Sequence, residues 1–230
     1  MKKTIILNLF ILLGITSAFG QKEKRVFSES FNQEECTFLT TGRNQYFVLE
    51  PGYQLMLQGN EGKDQVKLII TVLNETKKIG NIETRIVEEN ESVNGKVIEI
   101  SRNYFAICKE TGSVFYFGED VDIYENEKVI NHSGAWIAEG NNKPGIVMPG
   151  QQLIGSRYYQ ELAPNIAMDR AEIISTSETF TTPFGQFNNV LKTLETTPLE
   201  PKEKSYKLYA PGIGLIRDGA VLLTKYGMMK

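Results

Sequence analysis

Apolar and polar residues alternate with a period of two along much of the chain, and short turn signals interrupt the alternation. The clearest example is residues 206–217, where Lys207 and Tyr209 fall on one face of a strand and apolar or aromatic residues on the other. Pro211-Gly212 then breaks the pattern, and residues 213–216 begin a second strand. Alternation interrupted by Pro-Gly predicts a half-buried antiparallel sheet that turns back on itself.

The same pattern predicts further hairpins. Asn94-Gly95 separates two strand-like runs, and Asn-Gly in that position is the strongest short-range hairpin signal. Residues 53–57 and 66–73 read as another pair, joined by a polar, glycine-containing connection. No segment keeps a helical period for more than three turns, so we predict a mainly β protein.

Two stretches echo one another in the order and spacing of their strands and turns, residues 74–114 and residues 177–216. Two alternatives explain the echo: an internal duplication of the chain, or chance similarity between short β units. Each stretch reads as a strand-turn-strand-turn-strand meander that cannot bury its apolar face alone. We therefore predict a curved antiparallel sheet or an incomplete β-barrel built from two related meander units.

Residues 1–20 have the layout of a secretory signal peptide. Lys2 and Lys3 precede an apolar run at residues 5–15, and Ala18-Phe19-Gly20 forms a small-x-small cleavage site. The apolar run is too short for a membrane-spanning helix. No cysteine lies at the cleavage site, so we expect an exported protein, free in the periplasm or outside the cell and not lipid-anchored.

We expect residues 21–43 to form a polar leader and residues 44–230 a single β-rich domain, which is an ordinary length for one sandwich or barrel. Cleavage after residue 20 leaves 210 of the 230 residues, with 23 basic against 28 acidic side chains and a formal charge of −5. This balance does not favour nucleic acid or an anionic membrane surface as a partner. No second long apolar stretch follows, so no transmembrane segment is expected.

Three motifs carry a resemblance to a known group. They are the phrase Tyr-Ala-Pro-Gly-Ile-Gly-Leu-Ile at residues 209–216, Pro-Phe-Gly-Gln-Phe at 183–187, and Tyr46-Phe47 followed by Pro51-Gly52. Over residues 44–227 the chain resembles a family of uncharacterised secreted bacterial domains that we associate with lipoprotein-carrier-like (LolA-like) half-barrels. The resemblance implies a curved antiparallel sheet around an apolar cavity. It implies no catalytic residue.

Few residues suggest catalysis. His132 is the only histidine, which excludes multi-histidine zinc sites. Any Ser-His-Asp arrangement would have to use this single imidazole. Cys36 and Cys108 are the only cysteines, and they are either a disulfide of an oxidising compartment or two buried thiols. We predict no enzyme activity and no cofactor.

Two candidate binding sites remain. Asp120 and Asp122 alternate on one strand face and would share a calcium ion with backbone oxygens, or they protect a solvated edge strand. Aromatic residues would either fill the core or line a pocket for an apolar ligand, with an arginine at its mouth for an anionic group. The pocket residues on this hypothesis are Phe115, Phe117, Trp136, Arg157 and Tyr159.

The leading functional hypothesis is an exported, non-catalytic binding or carrier-like protein for an apolar or amphipathic ligand, such as a lipid. The alternative is an interaction module that presents a sheet face or edge to an envelope or extracellular protein. A hydrolase that acts through its carboxylates is the third possibility.

Overall fold

The computed structural model describes residues 26–229, and within that part the protein is built from β-strands apart from one short 3-10 helix, Gln33–Glu35. The proposed signal peptide at residues 1–20 lies outside the described residues. Along the chain the strands are β1 (Phe38–Leu39), β2 (Gly42–Asn44), β3 (Phe47–Leu49), β4 (Tyr53–Glu61), β5 (Asp64–Ile79), β6 (Ile82–Val93), β7 (Lys96–Cys108), β8 (Val114–Glu125), β9 (Lys128–Asn131), β10 (Trp136–Ile137), β11 (Lys143–Met148), β12 (Arg157–Tyr159), β13 (Glu161–Leu162), β14 (Arg170–Thr182), β15 (Gly185–Thr196), β16 (Ser205–Ala210), β17 (Gly214–Asp218) and β18 (Val221–Met228). Between residues 26 and 229 no helix is long and apolar enough to cross a membrane.

Thirteen of these strands form one antiparallel sheet that curls into a nearly closed barrel. Their order around the barrel is β12-β14-β15-β16-β17-β18-β4-β5-β6-β7-β8-β11-β13. It contains two five-stranded meanders, β4 to β8 and β14 to β18, which are joined by the pairing of β18 with β4. The predicted fold class, an incomplete β-barrel made from two meander units, is confirmed.

The hairpins form where turn chemistry interrupts the alternation. Asn94 and Gly95 connect β6 to β7 with φ angles of 52° and 79°, the left-handed region that a tight two-residue hairpin requires. Gly212 turns β16 into β17 with φ 72°. A β-branched residue at either glycine would strain the turn. Local sequence therefore determines where each meander reverses direction.

The barrel has one seam, between β12 and β13. These two strands are almost consecutive in the chain, and Gln160 is the single residue that links them. β11 passes close to this link, because a Cβ atom at Gly145 would lie 2.3 Å from the carbonyl oxygen of Gln160. A side chain at Gly145 would clash with the backbone of Gln160 and push β11 away from the link, so this close contact requires glycine.

A segment near the N-terminus pairs with the edge of β12 at the seam, and we call residues 27–39 the strap. At one end Ser28 donates its N–H to Arg157 O (3.0 Å) and accepts from Tyr159 N–H (3.0 Å). At the other end β1 pairs with β7, and a disulfide joins Cys36 to Cys108. This segment belongs to the stretch predicted as a polar leader, and in the structure it lies against the barrel wall.

The short hairpin β2–β3 closes one end of the barrel. Asn44 Nδ2 donates to Gly112 O (2.7 Å) and Pro149 O (2.9 Å) at one side of the opening. The Tyr46 hydroxyl donates to Asn189 O (2.9 Å) at the other side. The Phe47 ring lies 5.3 Å from the Phe105 ring of the barrel wall. This end hairpin therefore spans the opening and places an apolar side chain inside.

We expect the disulfide to stabilise the strap on the barrel. Cys36 and Cys108 are 72 residues apart, so opening the bond frees a large loop in the unfolded chain. The double variant Cys36→Ala/Cys108→Ala should lose on the order of 4 kcal/mol in denaturant unfolding monitored by circular dichroism. A reductant should reproduce this loss in the wild type and leave the double variant unchanged. An unchanged midpoint of denaturant unfolding in the double variant would show that the disulfide does not stabilise the strap on the barrel.

Candidate functional site

The barrel interior contains an apolar chamber beneath the end hairpin. It has an empty volume of about 700 Å³, part of it open to solvent. Its wall consists mainly of inward-facing residues from β3 to β7 and from the turn into β17. The apolar lining residues are Phe47, Val48, Leu55, Ile70, Val72, Val87, Phe105, Val147, Ile213 and Leu215, with Tyr53 and Tyr209. Because successive side chains in a strand point to opposite faces, the lining positions on β4, β5 and β6 recur at every second residue.

The chamber continues into a sector of the interior that is rich in carboxyl groups. Seven carboxyl side chains line the two connected spaces, together with one lysine, Lys207. The seven, which we call the acidic sector, are Glu89, Glu99, Glu119, Glu161, Asp169, Glu195 and Asp218. Beyond Lys207 the space opens to solvent at a mouth bordered by Lys202, Glu203 and Lys204.

The alternation of the strands produces this arrangement. On β7, Glu99, Ser101, Asn103 and Phe105 all face the interior, and the residues between them face outward. Glu89 of β6 is inward while its neighbour Glu88 faces out and pairs with Arg102 (3.4 Å). The inner face of these strands therefore carries acidic and polar side chains, unlike the inner face of a filled barrel.

A bulge in β8 brings one more carboxyl inside. The register between β7 and β8 shifts between Asn103 and Phe105, opposite Gly118. Gly118 has φ 131°, and a Cβ atom there would lie 2.3 Å from the carbonyl oxygen of Trp136. The extra residue lets both Tyr116 and Glu119 face the interior.

Lys207 lies where the apolar chamber, the acidic sector and the mouth meet. Its Nζ is 3.2 Å from Glu195 Oε2 and 3.3 Å from Asp218 Oδ2. The lysine is enclosed by the barrel wall, yet 28 % of its side chain still faces cavity space. Burial lowers the pKa of Lys207, but the charges of Glu195 and Asp218 outweigh that effect and hold the pKa well above its ordinary value. Lys207 is therefore a permanent cation within the cavity.

The other carboxyls hold their protons more strongly than in water. Burial, reinforced by the nearby charge of Glu161, raises the pKa of Glu119 to about 9. Burial also raises the pKa of Glu89 to about 7, with Lys207 acting in the opposite direction. The pKa of Glu161 rises to about 7 through burial and the charge of Asp169. Removal from water penalises the charged form, and each added negative charge penalises the next.

Gln160, the residue at the seam, points its amide into the same space. Its side chain lines both the apolar chamber and the acidic sector and is only 7 % exposed. Nε2 donates to Glu195 Oε1 (3.3 Å), which fixes the orientation of the amide. Oε1 is buried and accepts no hydrogen bond from any described protein group. A buried carbonyl oxygen without a donor is costly, so this atom is an open hydrogen-bond acceptor in the wall of the cavity.

The aromatic residues predicted to line a pocket lie elsewhere. Phe115 and Phe117 are on the outer face of β8, where Phe38 of the strap contacts both rings edge to face with centroids 5.2 Å apart. Phe31 covers Phe115 from the other side (6.2 Å). The inward residue between them is Tyr116. Neither phenylalanine borders the apolar chamber.

The remaining predicted pocket residues are also apart from the chamber. Trp136 is buried against the Tyr116 ring (5.4 Å). Arg157 pairs with Glu172 (2.9 Å) at the seam edge. Tyr159 packs against Phe27 of the strap (6.0 Å). The structure does not bring these five residues together into one site.

The two carboxylates predicted as metal ligands contact cationic side chains of the protein. The Asp120 carboxylate accepts hydrogen bonds from Lys77 Nζ (3.1 Å) and the Tyr104 hydroxyl. Asp122 pairs with Arg102 (3.0 Å) and lies 3.0 Å from His132 Nδ1. Within residues 26–229, the one close group of three metal-ligating side chain types is Cys36, Cys108 and Glu110, whose sulfurs form the disulfide.

Comparisons of the chain with protein-family models, with curated proteins and with solved structures found no match. The resemblance to lipoprotein-carrier-like half-barrels therefore stays a prediction. The function has to be argued from the cavity itself.

The raised pKa of Glu119 predicts how stability depends on pH. The Glu119 carboxyl has its ordinary pKa of 4.5 in the unfolded state and a pKa of about 9 in the folded state. The free energy of unfolding should therefore fall as pH rises between these two values. Glu119→Gln removes this contribution and should make the protein more stable than the wild type at pH 9 by several kcal/mol, because each pKa unit corresponds to about 1.4 kcal/mol. The two proteins should converge towards pH 4.

Urea unfolding at a series of pH values measures this effect. Glu125→Gln, an exposed residue of the same strand, is the matched control and should follow the wild type. Parallel curves for Glu119→Gln and the wild type would contradict a raised pKa at this position.

Proposed function

We propose that the protein is an exported, non-catalytic binding or carrier-like protein that holds an apolar or amphipathic ligand inside the barrel. The observation that supports the proposal is the apolar chamber, which is closed by the end hairpin and connected to a polar mouth. Ligand sites of proteins are typically concave, mostly apolar and equipped with a few polar groups. The chamber has this composition, with Glu89, Lys207 and Asp218 among its apolar lining residues.

Export rests on the pattern of residues 1–20, and the Cys36–Cys108 disulfide supports it because such bonds persist in oxidising compartments. A mature protein that begins at Gln21, identified by mass spectrometry of the protein from its host, is the expected result. A retained N-terminus would contradict cleavage of a signal peptide and leave the cavity argument unchanged.

The test of the proposal is binding of an uncharged apolar probe. N-phenyl-1-naphthylamine should bind the wild type at one site with a rise in fluorescence. Ile70→Trp places a large side chain in the chamber and should weaken binding by at least about tenfold, equivalent to about 1.4 kcal/mol.

Ile69→Trp is the matched control, because Ile69 neighbours Ile70 on β5 and points to the other face of the sheet. It should bind the probe like the wild type, and thermal melts should show both variants folded. Absence of probe binding to the wild type, or equal loss in both variants, would refute a binding chamber.

A second candidate is an interaction module that uses a sheet edge. The four residues of β9 are all exposed and pair with β8 on one side, and the exposed set includes Val129 and Ile130. An edge of this kind is able to receive a strand from another protein. Purification of an empty protein with one specific protein partner would favour this candidate over the carrier.

A further inference from the structure

The acidic sector has too few cations for its carboxyl groups. Lys207 forms ion pairs with Glu195 and Asp218. The other five carboxyls, from β6, β7, β8, β13 and the loop before β14, form no ion pair with a described Lys, Arg or His within 4.0 Å. Buried carboxylates are costly unless a cation or donor group satisfies them. Bound protons meet part of this cost, as the raised pKa values of Glu89, Glu119 and Glu161 indicate.

Gln160 is independent evidence that a donor belongs here. Its buried Oε1 accepts no hydrogen bond from the described part of the chain, and it borders the same space as Glu89 and Glu119. A carbonyl oxygen and ionised carboxylates are all acceptors, so a group that replaces the protons and satisfies all of them must carry several donors and positive charge. An ammonium group has these properties.

The geometry argues against two other ligand types. A single metal ion needs oxygen ligands that converge, and no three acidic side chains of the described residues bring ligand oxygens within 4.8 Å of one another. An anionic head group would need a free cation, but Lys207 is already between two carboxylates. It would also meet the surrounding negative charges.

The acidic sector lies directly beside the apolar chamber. Glu89 and Gln160 both border the apolar chamber as well as the acidic sector. A ligand with its charged end at these residues would therefore direct an attached apolar tail towards Phe105 and Val87 beneath the end hairpin.

On these grounds we propose that the ligand is an amphipathic amine, whose protonated amino group binds Gln160 Oε1 and the carboxyls of Glu89 and Glu119 while its apolar part fills the chamber. This inference rests on the proposed binding function and specifies the chemical class of the ligand. The barrel already holds one ammonium group in this way, that of Lys207 between Glu195 and Asp218.

The test compares three ligands that share a tail and differ in head group. Octylamine, 1-octanol and octanoate are titrated into the wild type at pH 7 by calorimetry, where they are cationic, neutral and anionic. Octylamine should bind at least about tenfold more tightly than 1-octanol, and octanoate more weakly than either. Equal affinities, or tighter binding of octanoate, would overturn the amine assignment.

Substitutions at adjacent positions on β6 locate the effect. Glu89→Gln should reduce octylamine affinity about tenfold and leave 1-octanol affinity unchanged. Glu88→Gln, whose side chain is on the outer face beside Arg102, should change neither. An equal effect of both variants would overturn the assigned position.

The two proposals fail in different ways. If octylamine, 1-octanol and N-phenyl-1-naphthylamine all fail to bind, the binding function itself is refuted. If both bind but the head group makes no difference, the chamber stands and the amine assignment is refuted. The head-group series uses the wild type, so it does not depend on the folding of a variant.

Discussion

The width of the strand ring is the constraint on which the rest of the structure depends. Side chains fill the interior of an eight-stranded barrel, whereas a wider ring leaves space that they cannot reach across. With thirteen strands the interior holds a chamber, and the ring does not complete its own hydrogen bonding at the seam. The strap and the end hairpin are the consequence: the strap pairs with the edge of β12 at the seam, and the end hairpin covers an opening which the sheet leaves.

The same width explains how charged residues come to lie inside. In a filled core a carboxyl would have no solvent and no room, and its burial would cost several kcal/mol. In this barrel the inner residues of β6 to β8 face cavity space that leads to the mouth. The cost remains visible in the raised pKa values of Glu89, Glu119 and Glu161, which face one another from different strands. Lys207 balances only the two carboxylates nearest to it.

The interior is thus divided along its length, with an apolar end closed by the hairpin and an acidic end open to solvent. That division suits a ligand with two chemical ends better than a purely apolar one. It also gives the residue at the seam a double role, because Gln160 joins the two edge strands through its backbone and borders both parts of the cavity through its amide. Closure of the barrel and formation of the site therefore depend on the same position.

The sequence alone determined the features that arise from neighbouring residues. The period of two predicted the strands, Asn94-Gly95 and Pro211-Gly212 predicted reversals, and the echo predicted two meanders. Only the tertiary structure decided which face of each strand points inward, because an alternating pattern defines two faces without saying which of them lies inside the barrel. The aromatic run of β8 illustrates this: the strap covers Phe115 and Phe117 on the outside, and Tyr116 lines the cavity. The site residues Glu89, Gln160 and Lys207 come from strands and a seam far apart in the chain, and only closure of the ring brings them together.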